Sequence, residues 1–418
     1  MTEQPRSAPQ RPRFVFLLVT AVVAVLALLA GVAVAAPHLL GPVATPGASE
    51  EPAGPTPSAT PTPPSPSPSS ASPSSAAPGP GTPPPSSPAA TPSATPTAKP
   101  RPPADGAFEL PLAGATGFVT VKTALTPIEG RRAGTLKPGQ RFTIEADEGK
   151  TWVVSSGALA GRLSSADVLL NLPDVIPSIV YDDVNGDAAI FTSSGVDLPG
   201  VTGKRLYVSK AFNPRLQVRE HSMAVLYPMA RKIQAAQRAA LAKGETLIFY
   251  QAFRPHATQK KVSLALINLH KQNRKVRAGI DNSGWGLSSF IALNLSSHQL
   301  GTAIDVSLGK VTGEAMVQGA DYTYTDVQAT EYAMQTPMHE LSTASSTYTH
   351  PVRTKSGTAW KKAPLNPSMT KAARRLQQYA VAAGLTPLAS EWWHFDDWDA
   401  RKHIAGGSNG RYFLELPR

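Results

Sequence analysis

One stretch decides how much of this chain can fold. From Pro37 to about Asp105 the sequence is almost entirely Pro, Ser, Ala and Thr, with scarcely a large apolar side chain. Such a segment cannot bury enough surface to offset the conformational entropy lost on folding. Residues 37–105 are therefore read as a disordered Pro-rich linker. Pro-rich chains run extended at about 3.1 Å per residue, so this one reaches on the order of 200 Å when stretched. The 418 residues suffice for two or three domains in all, and those domains must lie outside the linker.

Upstream, Arg6, Arg11 and Arg13 precede an uncharged apolar run from Phe14 to Ala36. A spanning helix needs roughly 20 apolar residues, whereas the core of a signal peptide needs only about 7–15. The run predicts a single-pass transmembrane anchor over 14–36. Residues 1–13 then stay in the cytoplasm and the remainder lies outside, in the cell wall space. The alternative is a signal segment cut after Ala33-Val34-Ala35, which gives a secreted protein. A buried core helix is disfavoured because the run has no polar face. The linker then spaces a domain away from the membrane, and its composition also suits O-glycosylation.

Lys and Arg number 40 against 29 Asp and Glu, a formal charge of +11. A basic surface suits polyanionic surroundings such as an anionic wall polymer, and it equally suits plain solubility. No nucleic-acid-binding motif is present, so nucleic acid is not expected as a partner. Cysteine is absent, which leaves His, Asp and Glu as the only strong metal ligands.

Folded character begins near Phe108. Within 107–171, Phe118-Val119-Thr120-Val121, Arg141-Phe142-Thr143-Ile144, Trp152-Val153-Val154 and Gly161-Arg162-Leu163 alternate with Gly and Pro turns such as Leu136-Lys137-Pro138-Gly139. This punctuation predicts a small antiparallel barrel or sandwich. Its order resembles bacterial SH3-like domains, which implies either wall binding or a packing module. From 172 to 418, helices and strands mix. Helices are predicted over Pro228–Lys243, Thr258 to about Arg277, and Thr370–Ala383, with a buried strand at Thr246–Tyr250. The basic side chains of the second helix suit a solvated face. This irregular order predicts an α+β domain with a small antiparallel sheet and flanking helices.

The chemistry lies in two short strings. Ser297-His298-Gln299-Leu300-Gly301-Thr302-Ala303-Ile304-Asp305 offers an imidazole and a carboxylate on either side of a bend at Gly301. Glu391-Trp392-Trp393-His394 offers a second imidazole and a second carboxylate. Three ligands with a fourth position open make up a catalytic zinc site, so His298, Asp305 and His394 are candidate Zn2+ ligands, with Glu391 free beside them. Glu391 and His394 point opposite ways on a regular strand, so a twist, bulge or strand end is expected there. Ser296 and Ser297 are candidates for substrate binding or for support of His298. Trp392 and Trp393 read as core or pocket wall, and Asp396 as an orienting group for His394 or a solvent-facing one. His256, His270, His339, His350 and His403 show no partner pattern.

With Ser-x-His-x-x-Gly-x-Ala-x-Asp followed by Glu-Trp-Trp-His, the region from roughly Pro173 onward resembles the zinc D-Ala-D-Ala peptidases, which include the vancomycin-resistance dipeptidases and carboxypeptidases. The resemblance implies that His298, Asp305 and His394 bind zinc and that Glu391 is the catalytic base. Phe253-Arg254-Pro255 resembles the family's Tyr-Arg-Pro, which implies that Arg254 stabilises the oxyanion; a buried ion pair is the other reading. The implied substrate is a D-Ala-D-Ala peptide or a peptidoglycan peptide. Endopeptidase action on cross-links, or a non-catalytic wall-binding role, are the alternatives. One departure stands out. Dipeptidases of the family carry Asp-Met-Gly-Thr-x-Phe-Asp, whose acids help to receive the substrate's amino group. Here Ala333-Met334-Gln335-Thr336-Pro337-Met338-His339 lacks both acids, with Asp321, Glu331 or Glu340 as conceivable stand-ins. The polar span 310–367 reads as a lid or a surface insertion.

Overall fold

The computed structural model describes residues 107–404, except 208, 353–355 and 357. The apolar run 14–36 and the linker 37–105 lie outside the described residues. Among the described residues no helix is long and apolar enough to cross a membrane.

The first sheet grows from the alternating segments. Strands β1 (Thr116–Val119), β2 (Arg141–Asp147), β3 (Thr151–Ser156), β4 (Leu159–Ser164) and β5 (Val168–Asn171) form its body. Phe142, Ile144, Trp152 and Val154 point inward while their neighbours face out, the period-two pattern of a half-buried strand. Gly139 takes the left-handed conformation (φ 76°) needed by the turn before β2.

The sheet does not close within 107–171. A sixth strand, β6 (Ala224–Leu226), pairs antiparallel with β5 to give the order β6-β5-β1-β2-β3-β4. The self-contained barrel expected from the sequence is thus replaced by a sheet completed from beyond residue 171. The reason lies in its core: Trp152 meets Tyr227 edge to face at 4.6 Å, and Phe108 lies 6.3 Å from the same ring. A segment this short is marginal by itself, and its apolar side chains belong to one core with those beyond residue 171.

Helix α1 (Tyr227–Leu241) leads directly out of β6, with Pro228 in its first turn and Met229, Ala230, Ile233, Ala236 and Ala240 buried. Gly244 (φ 69°) ends it and turns the chain into β7 (Glu245–Gln251), all of which is buried. The next helical stretch is two helices rather than one. Helix α2 (His256–Gln272) stops at Asn273, whose side chain accepts from the backbone N–H groups of Lys275 and Val276 and so caps α3 (Arg274–Ile280). An Asn side chain competes well for such orphan donors.

The second sheet places the site. Its long strand β8 (Ala303–Gln318) pairs antiparallel with β7 along its buried first half. Its exposed second half pairs with β9 (Thr323–Glu331) in a hairpin. On the other edge of β8, β10 (His394–Asp396) brings Asp305 opposite His394. Short strands Val180–Tyr181 and Thr386–Pro387 flank the sheet, the former parallel to β7. Helix α4 (Lys371–Ala382) is capped by Thr370, and α5 (Trp398–Ile404) begins at Asp397, whose carboxylate accepts from the N–H groups of Asp399 and Ala400. The span 310–367 divides in two: the hairpin lies at the surface, while Met338, Leu341 and Tyr348 enter the core.

Candidate metal centre

Three local devices carry the ligands to one point. Ser296 caps a single 3-10 turn (Ser297–Leu300), accepting from His298 N–H at 3.3 Å, while Gln299 reaches back to the N–H of Ser296 at 3.0 Å. Gly301 reverses the chain with φ 66° and ψ 25°, a conformation that strains any residue with a Cβ. Strand β8 then begins, with Asp305 two residues into it. Glu391, Trp392 and Trp393 precede β10 in a turn, with His394 N–H donating to the Glu391 carbonyl at 3.4 Å. A strand end therefore lets Glu391 and His394 face the same side.

The resulting triangle is tight. His298 Nε2 lies 3.1 Å from His394 Nδ1 and 3.2 Å from Asp305 Oδ1, and His394 Nδ1 lies 3.0 Å from Asp305 Oδ1. Tetrahedral donors at zinc–ligand lengths of about 2.0–2.2 Å stand roughly 3.3–3.6 Å apart, so a relaxation of a few tenths of an ångström opens this group around a cation. The outer atoms are consistent with that. His298 Nδ1 sits 2.8 Å from the Ala252 carbonyl, an acceptor, which leaves the Nε2 lone pair facing inward. His394 Nε2 faces Asp396 Oδ1 at 3.4 Å. These are the carboxylate and carbonyl partners that orient metal-binding imidazoles. All three candidate ligands are buried and can hold a metal ion.

The electrostatics follow the crowding. Burial drives His298 down to about 4. Burial also opposes the charged form of His394, but Asp396 and Asp305 overrule it and raise that imidazole to about 10. The Asp305 carboxyl would rise on burial, yet His298, His339 and His394 hold it well below the usual range. Glu391 rises to about 8 because it is buried; its Oε2 lies 3.7 Å from His394 Nδ1.

Arg254 follows β7 and is buried. Its guanidinium donates to Gln251 Oε1, to Gln259 Oε1 at 2.8 Å and to Asp305 Oδ2 at 3.2 Å. The buried ion pair, one of the two sequence readings of Arg254, is therefore present, made to Asp305, and the guanidinium also lies in the cleft wall. That cleft, of about 250 Å³, is lined by all seven candidate residues, Ser296 and Ser297 included, together with Phe191, His339 and Trp393. Ser297 Oγ accepts from Arg401, and Asp396 is buried rather than solvent-facing. Trp393 forms cleft wall, whereas Trp392 is core, its indole donating to Thr336 Oγ1 at 2.9 Å.

His339 went unrecognised in the sequence. Its Nε2 lies 3.2 Å from Asp305 Oδ2, its ring stacks on Phe191 at 4.2 Å, and its backbone takes φ 59°. The signal was its position, at the end of the stretch where dipeptidases carry an acid. The suggested stand-in acids do not replace that acid, because none lines the cleft. Glu331 accepts from Tyr250 at 2.6 Å, Glu340 is held by Thr192, Ser342 and Gly195, and Asp321 is exposed in the hairpin turn.

A family model described as D-ala-D-ala dipeptidase, of the peptidase M15 family, matches residues 199–413. The chain belongs to this family. M15 peptidases are zinc-dependent, and the chain presents a His-Asp-His group. No curated protein matches the chain. The M15 match begins well after β5, and it takes in β6 and both metal-motif strings.

Proposed function

We propose that this chain is a zinc peptidase that hydrolyses D-Ala-D-Ala or related D-amino-acid peptide bonds in peptidoglycan precursors or stem peptides. The observation that carries the reading is the meeting of His298 Nε2, His394 Nδ1 and Asp305 Oδ1 within 3.2 Å, with Glu391 alongside. His298, Asp305 and His394 would hold zinc, which when bound would supply an acidified water and polarise the scissile carbonyl. Glu391 takes the proton of the attacking water and returns it to the leaving amine. Arg254 turns a donor toward the developing oxyanion while its other donors are held by Gln251, Gln259 and Asp305. Ser296 and Ser297 hold the His298 turn.

Among the described residues, His339 stands where the family carries an acid, and Asp321, Glu331 and Glu340 lie outside the cleft; this favours a longer peptide over a free dipeptide, because a buried ammonium needs a charged partner. Carboxypeptidase or cross-link-cutting endopeptidase action fits this better than strict dipeptidase action. The basic flank and apolar run at 1–36 support a membrane-anchored enzyme working in the wall space, with secretion as the alternative. A wall-binding role for 107–171 rests on its sequence resemblance to bacterial SH3-like domains alone.

The test is Glu391→Ala. The variant should bind zinc at the wild-type stoichiometry and lose about 10²–10⁴-fold in turnover on a D-Ala-D-Ala-ended peptide. Wild-type turnover in that variant removes Glu391 from the chemistry.

A further inference from the structure

A second recess of about 520 Å³ adjoins the catalytic cleft, and the two share Trp398 and Arg401 in their walls. Its floor is the end of α4 and the chain just beyond it, Val381 and Gly384–Thr386. Its sides are α5 and the 3-10 turn Ala359–Lys362. Two indoles line it, Trp360 and Trp398, each with a cation over its face: Lys361 Nζ at 5.7 Å and the Arg401 guanidinium at 4.9 Å. Lys402 adds a third cation, its ammonium 3.1 Å from Asp399 Oδ1, and Asp399 is the one acid in the wall among the described residues. The recess is thus cationic and aromatic, and it opens beside the residues that hold the His298 turn, since Arg401 donates to Ser297.

The cleft alone is small for anything larger than a dipeptide. The recess beside it, at about 520 Å³, lies by itself in the range of about 300–1,000 Å³ typical of ligand sites. We infer that the recess is a substrate subsite that takes a carboxylate-bearing stretch of peptide continuing from the bond being cut, received by Lys361, Arg401 and Lys402 over the two indole faces. The inference rests on the peptidase reading above and sharpens it, because an acidic stem peptide becomes the preferred substrate. The chemistry is ordinary: guanidinium and ammonium groups receive carboxylates, and indole faces receive the backbone and aliphatic parts of a peptide.

The experiment uses the zinc-loaded full chain and three substrates. These are D-Ala-D-Ala, a pentapeptide ending in D-Ala-D-Ala with a glutamate upstream, and the same pentapeptide with glutamine in its place. The wild type should prefer the glutamate peptide over the glutamine peptide roughly tenfold in kcat/KM, the sum of two or three exposed ion pairs. Trp360→Ala with Lys361→Ala, and separately Lys402→Ala, should shrink that preference toward one while hydrolysis of the glutamine pentapeptide stays as it was. Both changes fall outside the catalytic cleft, and no residue of the 359–362 turn is buried. No preference in the wild type, or a preference the variants leave intact, overturns the subsite while the peptidase reading stands. Hydrolysis of none of the three substrates overturns the peptidase reading instead. The subsite is then judged by calorimetry with the glutamate pentapeptide: binding lost in the variants upholds it, and absent or unchanged binding ends it.

Discussion

Gly301→Ala is the sharpest test of how the fold places its histidine. At φ 66° and ψ 25° a side chain is strained, at a cost of about 1–2 kcal/mol for an L-residue. A Cβ there would also come to 2.3 Å from Leu169 Cδ2 and 3.1 Å from the backbone nitrogen of Leu226. Leu169 is fully buried in β5, so it has little room to yield, and overpacking of this kind costs about 1–3 kcal/mol. The total, about 2–5 kcal/mol, corresponds to a melting temperature lower by roughly 3–8 °C for a folded unit of about 300 residues. Zinc affinity should fall as well, because the same turn carries His298. Thermal and urea unfolding read the first effect and zinc titration the second. Leu169→Ala in the Gly301→Ala background tests the cause: the double variant should lose less than the two singles added, by about 1 kcal/mol or more. Strict additivity, or a Gly301→Ala protein as stable as the wild type, would refute the packing argument.

Other expectations arise from the same geometry. Asp396→Asn should weaken zinc binding by about 10–100-fold, since it removes the carboxylate behind His394; unchanged affinity in a competitive chelator titration would show that Asp396 does not orient that ring. His339→Ala takes a donor from Asp305 Oδ2 and should also lower zinc affinity, by about tenfold, with His339→Asn restoring part of it. Burial, with Asp174 adding to it, raises Glu220 to about 7, whereas in the unfolded chain it ionises near about 4.3. The folded state therefore binds the extra proton between those values. This stabilisation is complete below the lower value and is lost as pH rises through about 7. Urea midpoints at pH 5 and pH 8 should differ less in Glu220→Gln than in the wild type, and an equal difference would remove Glu220 as the cause.

The residues of the candidate site were legible because their chemistry is local. His298, Gly301 and Asp305 sit within eight residues, and the bend followed by a buried strand can be read from Gly301 and Ala303-Ile304-Asp305-Val306. Helix α1 was legible from its apolar period and its Pro and Gly punctuation. What escaped was non-local or depended on one side chain. Nothing in Ala224-Val225-Leu226 says that it joins a sheet begun a hundred residues earlier. The break at Asn273 turns on that side chain capping α3 rather than facing solvent. His339 looked like a stray imidazole because its partner, Asp305, lies in a different motif, and pairing across such distances is not written in local periodicity.

Strand β6 has one consequence for how this protein can be cut or recombined. Its Leu226 N–H donates to the Gly301 carbonyl at 2.7 Å, and its Ala224 carbonyl accepts from Phe253 N–H at 3.0 Å, while its other edge pairs with β5. Three residues thus rivet the amino-terminal module to the turns that present His298 and Arg254. A fragment begun at residue 172 would expose the raw flank of β6 and the ring of Tyr227, inviting aggregation. The module is better regarded as a wing of the enzyme than as a detachable accessory, and chimaeras that exchange it should carry residues 224–227 along.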